Sequence, residues 1–112
     1  MTMLEAGDGV ISSKAFYTGG IKVLDVFAKL GVDVQYVDFT DMKNIESALK
    51  ENTKMVWMES PMNPSMTILD IRAIAEVVHA KSKAFLVVDN TFLTPYFQRP
   101  LELGADLVAY SI

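Results

Sequence analysis

Phe85-Leu86-Val87-Val88-Asp89-Asn90-Thr91-Phe92 is the stretch on which the fold turns. Four consecutive apolar residues, two of them β-branched, fit a strand buried on both faces. The run closes on a carboxylate, which is costly to bury unless it pairs with something. Asp89 is therefore the best single candidate for a functional acid. Taken alone, it fits equally well as the cap of the turn that follows.

The pattern repeats outward from that strand. Met55-Val56-Trp57-Met58 is another short apolar run, and Asp70 opens a helix with Ile71, Ile74, Ala75 and Val78 on one face. Further back, Asp41 caps a helix carrying Met42, Ile45, Ala48 and Leu49, and Val32-Asp33-Val34-Gln35-Tyr36-Val37 alternates as a strand does. Ile21, Leu24, Phe27, Ala28 and Leu30 keep helical spacing up to a stop at Gly31. Val10-Ile11-Ser12 forms the first strand, after the turn Ala6-Gly7-Asp8-Gly9. Toward the C-terminus, Pro95 to Leu103 is short and partly helical, and Leu107 to Tyr110 makes the last strand. This β-α-β-α-β-α-β-(short α)-β order predicts an α/β fold, a mostly parallel sheet with helices on both faces.

Right-handed crossovers place the C-terminal ends of parallel strands on one edge, where ligands of such sheets bind. The segments that reach that edge are Ser12 to Gly20, Glu59-Ser60-Pro61-Met62-Asn63-Pro64, Asp89 to Phe92, and Ser111. Asn63 precedes a proline, which biases it to an extended conformation.

Composition narrows the function classes. The 112 residues make one domain or part of one, and 51% hydrophobic content supplies material for a core. The net charge is −4 and the basic residues are scattered, so nucleic acid is not an expected partner. Without cysteine there are no disulfides, thiolate zinc sites or thiol nucleophiles, which fits a cytoplasmic compartment. Met1 to Asp8 lacks a signal-peptide pattern, and no apolar stretch approaches a membrane span.

Several tempting residues read more plainly as structure. His79 lies near the end of the Asp70 helix, where a cation suits the dipole. Glu59 fits a structural hydrogen-bond partner at a strand end. Trp57 and most of the methionines fit the core. Asp33, Asp38 and Asp41 straddle a strand and a turn without converging as metal ligands would. Tyr17 alone fits a surface tyrosine, and Asn63 alone a turn residue.

The runs Glu59-Ser-Pro-Met-Asn-Pro64, Val87-Val-Asp-Asn-Thr-Phe92 and Pro95-Tyr-Phe-Gln-Arg-Pro-Leu-Glu-Leu-Gly-Ala-Asp106 resemble, in order and spacing, the Cys/Met-metabolism family of pyridoxal 5′-phosphate (PLP) enzymes. The similarity runs from about Ala6 to Ser111, and linked motifs in register carry far more weight than a lone one. The resemblance implies a fold like aspartate aminotransferase (fold type I), with residues 1–112 as part of the PLP-binding large domain. It implies that Asp89 bonds the pyridine nitrogen, where an anion keeps the ring protonated and electron-withdrawing. By the same resemblance, Tyr17 stacks on the ring, Asn63 bonds the ring hydroxyl oxygen and Ser111 helps hold the phosphate. Within the family the Pro95–Pro100 run is most similar to cystathionine γ-lyases, nearly the same as methionine γ-lyases, with a cystathionine γ-synthase-like parent as a further alternative. The implied substrates are sulfur amino acids (cystathionine, cysteine or homocysteine). Cystathionine cleavage would yield cysteine, 2-oxobutanoate and ammonia, in a homotetrameric parent.

The pattern also departs from the family. The family's last strand leads into Ser-Ala-Thr-Lys, whose lysine forms the Schiff base, whereas here Ser111 is followed by Ile112. Lys14 and Lys54 lie on other segments. The family's Gly-rich phosphate loop precedes residue 1, and its substrate-carboxylate arginine belongs to a C-terminal domain. Tyr17-Thr18-Gly19-Gly20 stands where the family has Tyr-Gly-Gly-Thr. The expectation is a fragment without lyase activity of its own. Two rival readings are a truncated, non-enzymatic chain that pairs with a full-length relative, and a free-standing α/β binding domain like flavodoxin in outline. Against the latter, no Gly-rich phosphate loop opens the first helix.

Overall fold

A computed structural model of the chain describes residues 2–14 and 18–112. The elements run β1 (Gly9–Ser13), α1 (Thr18–Lys29), β2 (Asp33–Val37), α2 (Met42–Ala48), β3 (Thr53–Glu59), α3 (Ile71–Lys81), β4 (Phe85–Asp89), α4 (Thr94–Phe97), a 3-10 turn (Pro100–Leu103) and β5 (Leu107–Ala109). The strands form one sheet in the order β2-β1-β3-β4-β5, with every pairing parallel. The α/β class and the parallel sheet are as the sequence predicts.

The local signals act as expected. Asp41 and Asp70 cap α2 and α3, accepting from the backbone N–H groups of Lys43 and Ala73 at 3.0 Å each. Gly104, at φ +106°, turns the chain from the 3-10 segment toward β5, and a Cβ there would stand 2.8 Å from the Ala75 side chain. His79, in the last turn of α3, bonds Asp106 at 2.7 Å, and the same carboxylate oxygen accepts the Leu86 N–H at 2.8 Å. It ties α3 to the segment before β5, a contact the sequence reading of a helix-end surface residue did not include. The three aspartates near β2 are each engaged: Asp33 with Lys50, Asp38 with Thr40, and Asp41 as a cap.

The strand order fixes where the helices lie. From β1 the chain steps to one side, to β2. Every later crossover steps the other way, from β2 past β1 to β3, then to β4 and β5. Right-handed crossovers in opposite directions cover opposite faces. So α1 sits on one face, and α2, α3 and the α4 segment on the other. Helices do lie on both faces, but the cover is uneven. The α2–α3 face holds a continuous core that includes Ile11, Ile45, Val56, Met58, Ile71, Ile74, Val78, Leu86 and Val88. On the α1 face the buried cluster is Leu4, Val10, Leu24 and Val32. There Val23, Val26 and Leu30 stay about half exposed, and an apolar groove opens between Met3, Leu4, Val23, Phe27, Met55 and Trp57. Trp57 is half-buried against this groove rather than sunk in the core.

Candidate functional site

Adjacent strands whose crossovers leave in opposite directions create a crevice at their C-terminal ends, and that is where ligands of open α/β sheets bind. Here the strands are β1 and β3, so Ser13 and Glu59 flank the crevice and Asp89, on β4, comes next. Side chains alternate along a strand. Because Met58 and Val88 enter the α2–α3 core, Glu59 and Asp89 project on the more open α1 face.

Asp89 is half-buried at the strand end. Its Oδ1 accepts from the Thr91 backbone N–H at 3.0 Å and from the Thr91 hydroxyl at 2.6 Å. The Thr91 hydroxyl oxygen in turn accepts the Ser111 backbone N–H at 2.9 Å. The carboxylate thus caps its own turn with one oxygen, while Oδ2 has no hydrogen-bond partner among the described residues. The two readings open at the sequence level are compatible: turn cap on one oxygen, unengaged acceptor on the other.

The next residue locks this arrangement. Asn90 is fully buried, and its amide donates to the Gln98 carbonyl at 2.8 Å and lies 3.2 Å from the Tyr110 hydroxyl. Its side-chain oxygen accepts from the Gln98 amide at 2.8 Å, and that amide also donates to the Ser60 carbonyl at 2.9 Å. The loops after β3, β4 and β5 are bound into one unit through these contacts.

Glu59 is register partner to Asp89 and is 7% exposed. Burial raises its proton affinity most, the Asn63 backbone hydrogen bond opposes that, and the Asp89 charge adds to the rise. Its Oε2 is buried without a hydrogen-bond partner among the described residues, as are the hydroxyls of Ser12 and Ser13 at the end of β1. Unsatisfied buried polar atoms grouped at one sheet edge mark a place built to meet something else.

The sequence-predicted site residues fall as follows. Asp89, Asn63 and Ser111 all lie at the same C-terminal edge, Asp89 as the last residue of β4 and the other two on the loops after β3 and β5. Asn63 is half-buried between two cis X-Pro bonds, Ser60–Pro61 and Asn63–Pro64. Its side-chain amide is unengaged among the described residues. Ser111 is exposed and joins the site through its backbone. Tyr17 lies outside the described residues, immediately before α1 in the sequence. Sequence reading alone missed Thr91 and Asn90. The Asp-x-Thr spacing signals the first, as an Asx turn. The second stands next to Asp89 at the end of a fully apolar run, a position that demands a buried polar partner. Glu59 was legible as a hydrogen-bond partner, but its neighbour across the sheet was not.

The sequence profile described as "Cys/Met metabolism PLP-dependent enzyme" matches residues 1–112. Human cystathionine gamma-lyase is 43% identical over 110 residues, which cover 97% of this chain and 27% of that protein. The L-methionine gamma-lyase of Treponema denticola is 43% identical over 112 residues, covering 98% of this chain and 28% of that protein. The crystal structure of metB from Corynebacterium glutamicum superposes with a TM-score of 0.94 at 40% identity, over 98% of this chain and 29% of its own. The chain thus spans less than a third of the length of the relatives it matches.

Proposed function

Since this chain belongs to the Cys/Met metabolism family of PLP-dependent enzymes, we propose that it supplies the ring-binding part of the cofactor site in a carbon–sulfur lyase. The observation that carries the reading is Asp89: a carboxylate at the ligand-binding edge of the sheet, with one oxygen fixed by Thr91 and the other left to accept. The residues present fit the cofactor's ring. A pyridinium N–H needs an oriented anionic acceptor, and Asp89 Oδ2 is one. A ring oxygen needs a donor, and the Asn63 amide is unengaged. When bound, PLP supplies an electron sink for charge developing on the substrate carbon.

In this reading Asp89 holds the proton of the ring nitrogen in place. Thr91 keeps the carboxylate from rotating, and Asn90 with Gln98 keeps the supporting loops from parting. Asn63 donates to the ring oxygen, Tyr17 covers one ring face and Ser111 contributes a hydroxyl toward the phosphate. The proposed substrates are sulfur amino acids: cystathionine, cysteine or homocysteine. Cystathionine cleavage is placed first because of the Pro95–Pro100 run, and methionine cleavage stays close behind because a cystathionine and a methionine γ-lyase match this chain at the same identity. A cytoplasmic, homotetrameric parent in transsulfuration and cysteine synthesis completes the proposal. Residues 1–112 are read as part of its large domain, spanning less than a third of the length of the relatives they match. In isolation the chain is expected to bind PLP weakly and to cleave neither amino acid. Among the described residues no helix is long and apolar enough to cross a membrane.

The test is a PLP titration of the chain, read by cofactor absorbance and Trp57 fluorescence, with Asp89→Asn alongside. Losing a hydrogen bond to a charged group costs about 1.5–3 kcal/mol, so Asp89→Asn should bind roughly 10- to 100-fold more weakly. Equal affinity in the two chains, or cystathionine turnover by the isolated chain, would count against this reading.

A further inference from the structure

Glu59 and Asp89 close adjacent parallel strands as register partners, so they project side by side on the same face of the sheet. Neighbouring strands stand about 4.8 Å apart, which brings the two acids within mutual reach. Their surroundings differ sharply. Asp89 is half-buried and takes two donors from Thr91 on one oxygen. Glu59 is 7% exposed, and its Oε2 is buried without a partner among the described residues. Two carboxylates this close do not both ionise freely, and the one with fewer donors and less water keeps the proton.

We propose that Glu59 is a positioning residue for Asp89, the neutral member of a paired-acid unit that leaves the single negative charge on Asp89. The proposal rests on the reading above only in taking Asp89 as the ring-nitrogen partner. The pairing itself stands on the strand register. Asp89 is the one charged side chain acting on Glu59 among the described residues. From β1 the neighbouring groups are the uncharged hydroxyls of Ser12 and Ser13, while the Lys14 charge acts on Asp38. The α1 groups Lys22, Asp25 and Lys29 do not act on it. Burial and the Asp89 charge both push the Glu59 carboxyl above its ordinary value of 4.5. A raised acid stabilises the fold fully below that value and loses its contribution as pH climbs through the folded one. The same ionisation puts a second charge beside Asp89 and strips Glu59 of the proton its unpartnered oxygen can carry.

Carboxyl ¹³C NMR of the chain without cofactor tests this directly. The Glu59 Cδ resonance should titrate above the range of a free glutamate. The Asp89 Cγ resonance should show a second inflection at that same pH, and Glu59→Gln should abolish it. Gln is neutral at every pH and close in shape, so it mimics the protonated acid. A Glu59 that titrates at or below 4.5 overturns the proposal, as does an Asp89 signal blind to Glu59. The wild-type titration decides even if the variant does not fold. If the NMR coupling is present but PLP does not bind, the pairing stands and the cofactor reading fails. If PLP binds through Asp89 without the coupling, the reverse holds.

Discussion

On the α2–α3 face, Ile11, Val56, Met58, Leu86 and Val88 meet Ile45, Ile71, Ile74 and Val78, and none of these is more than 2% exposed. On the α1 face, Leu24 is the buried residue of its helix among those described, while Val23 and Val26 are each 52% exposed. The same sheet therefore has a closed side and an open side. The closed side takes most of the apolar burial, and with it most of the stabilisation that offsets chain entropy. The open side carries Glu59 and Asp89 at its upper edge and a shallow groove below. Stability and chemistry are segregated because the strand order sends one crossover helix to one face and the remaining crossovers to the other.

The largest expected effect tests that segregation. Ile74→Ala removes a fully buried side chain from the closed core and should destabilise by about 2–5 kcal/mol. Leu24→Ala, whose neighbours on α1 face water, should fall at or below the low end of that range. Urea unfolding of both variants measures the difference. If Leu24→Ala costs as much as Ile74→Ala, the open face contributes to the core as fully as the closed one and the comparison breaks.

A smaller effect is expected where the two sides meet. Asn90→Ala deletes the buried amide that joins the loops after β3, β4 and β5, and strands the Gln98 groups that it satisfied. Leaving buried partners unsatisfied costs about 1–3 kcal/mol. Hydrogen exchange should quicken at Ser111 and Thr91, which depend on this unit, and stay unchanged at Ile11 and Val56 in the closed core. Uniform acceleration would mean that Asn90 supports the whole fold rather than the site.

Much of this was legible in the sequence, and for physical reasons. Phe85 to Val88 and Met55 to Met58 are continuous apolar runs, which fit strands of a sheet with helices on both faces. Ile71, Ile74, Ala75 and Val78 keep one helical face, and the carboxylates of Asp41 and Asp70 announce the caps. Asp89 stood out because its run gives no other reason for an acid. The uneven cover was harder to see. Val23, Val26 and Leu30 look as apolar as Ile71 and Ile74, and only the structure shows that they stay about half exposed. The pairing of Glu59 with Asp89 was invisible for the same reason: it depends on which strands are neighbours and in what register. Tyr17 could be named from its motif, and it lies outside the residues the structure describes.

The smallest effect sets the open-face acid against one at the margin of the sheet. Asp33 opens the edge strand β2 and meets Lys50 at 3.2 Å, with both side chains about half in water. The Lys50 hydrogen bond, followed by that from Asn52, holds its carboxyl below the usual 3.8. A depressed acid stabilises the fold above its unfolded value and loses that contribution as pH falls through the folded one, the opposite sense to Glu59. So screened a pair contributes about 0.2–1 kcal/mol, and salt weakens it further. Lys50→Ala should therefore cost no more than that at pH 6, and the cost should shrink as pH falls and Asp33 takes up its proton. Urea unfolding at pH 6 and pH 3, with and without added salt, measures it. The loss of stability as pH climbs through the Glu59 ionisation should be untouched, since Glu59 responds in the opposite sense. If Lys50→Ala alters that response, the two acids are not independent, and the edge of the sheet is coupled to its open face.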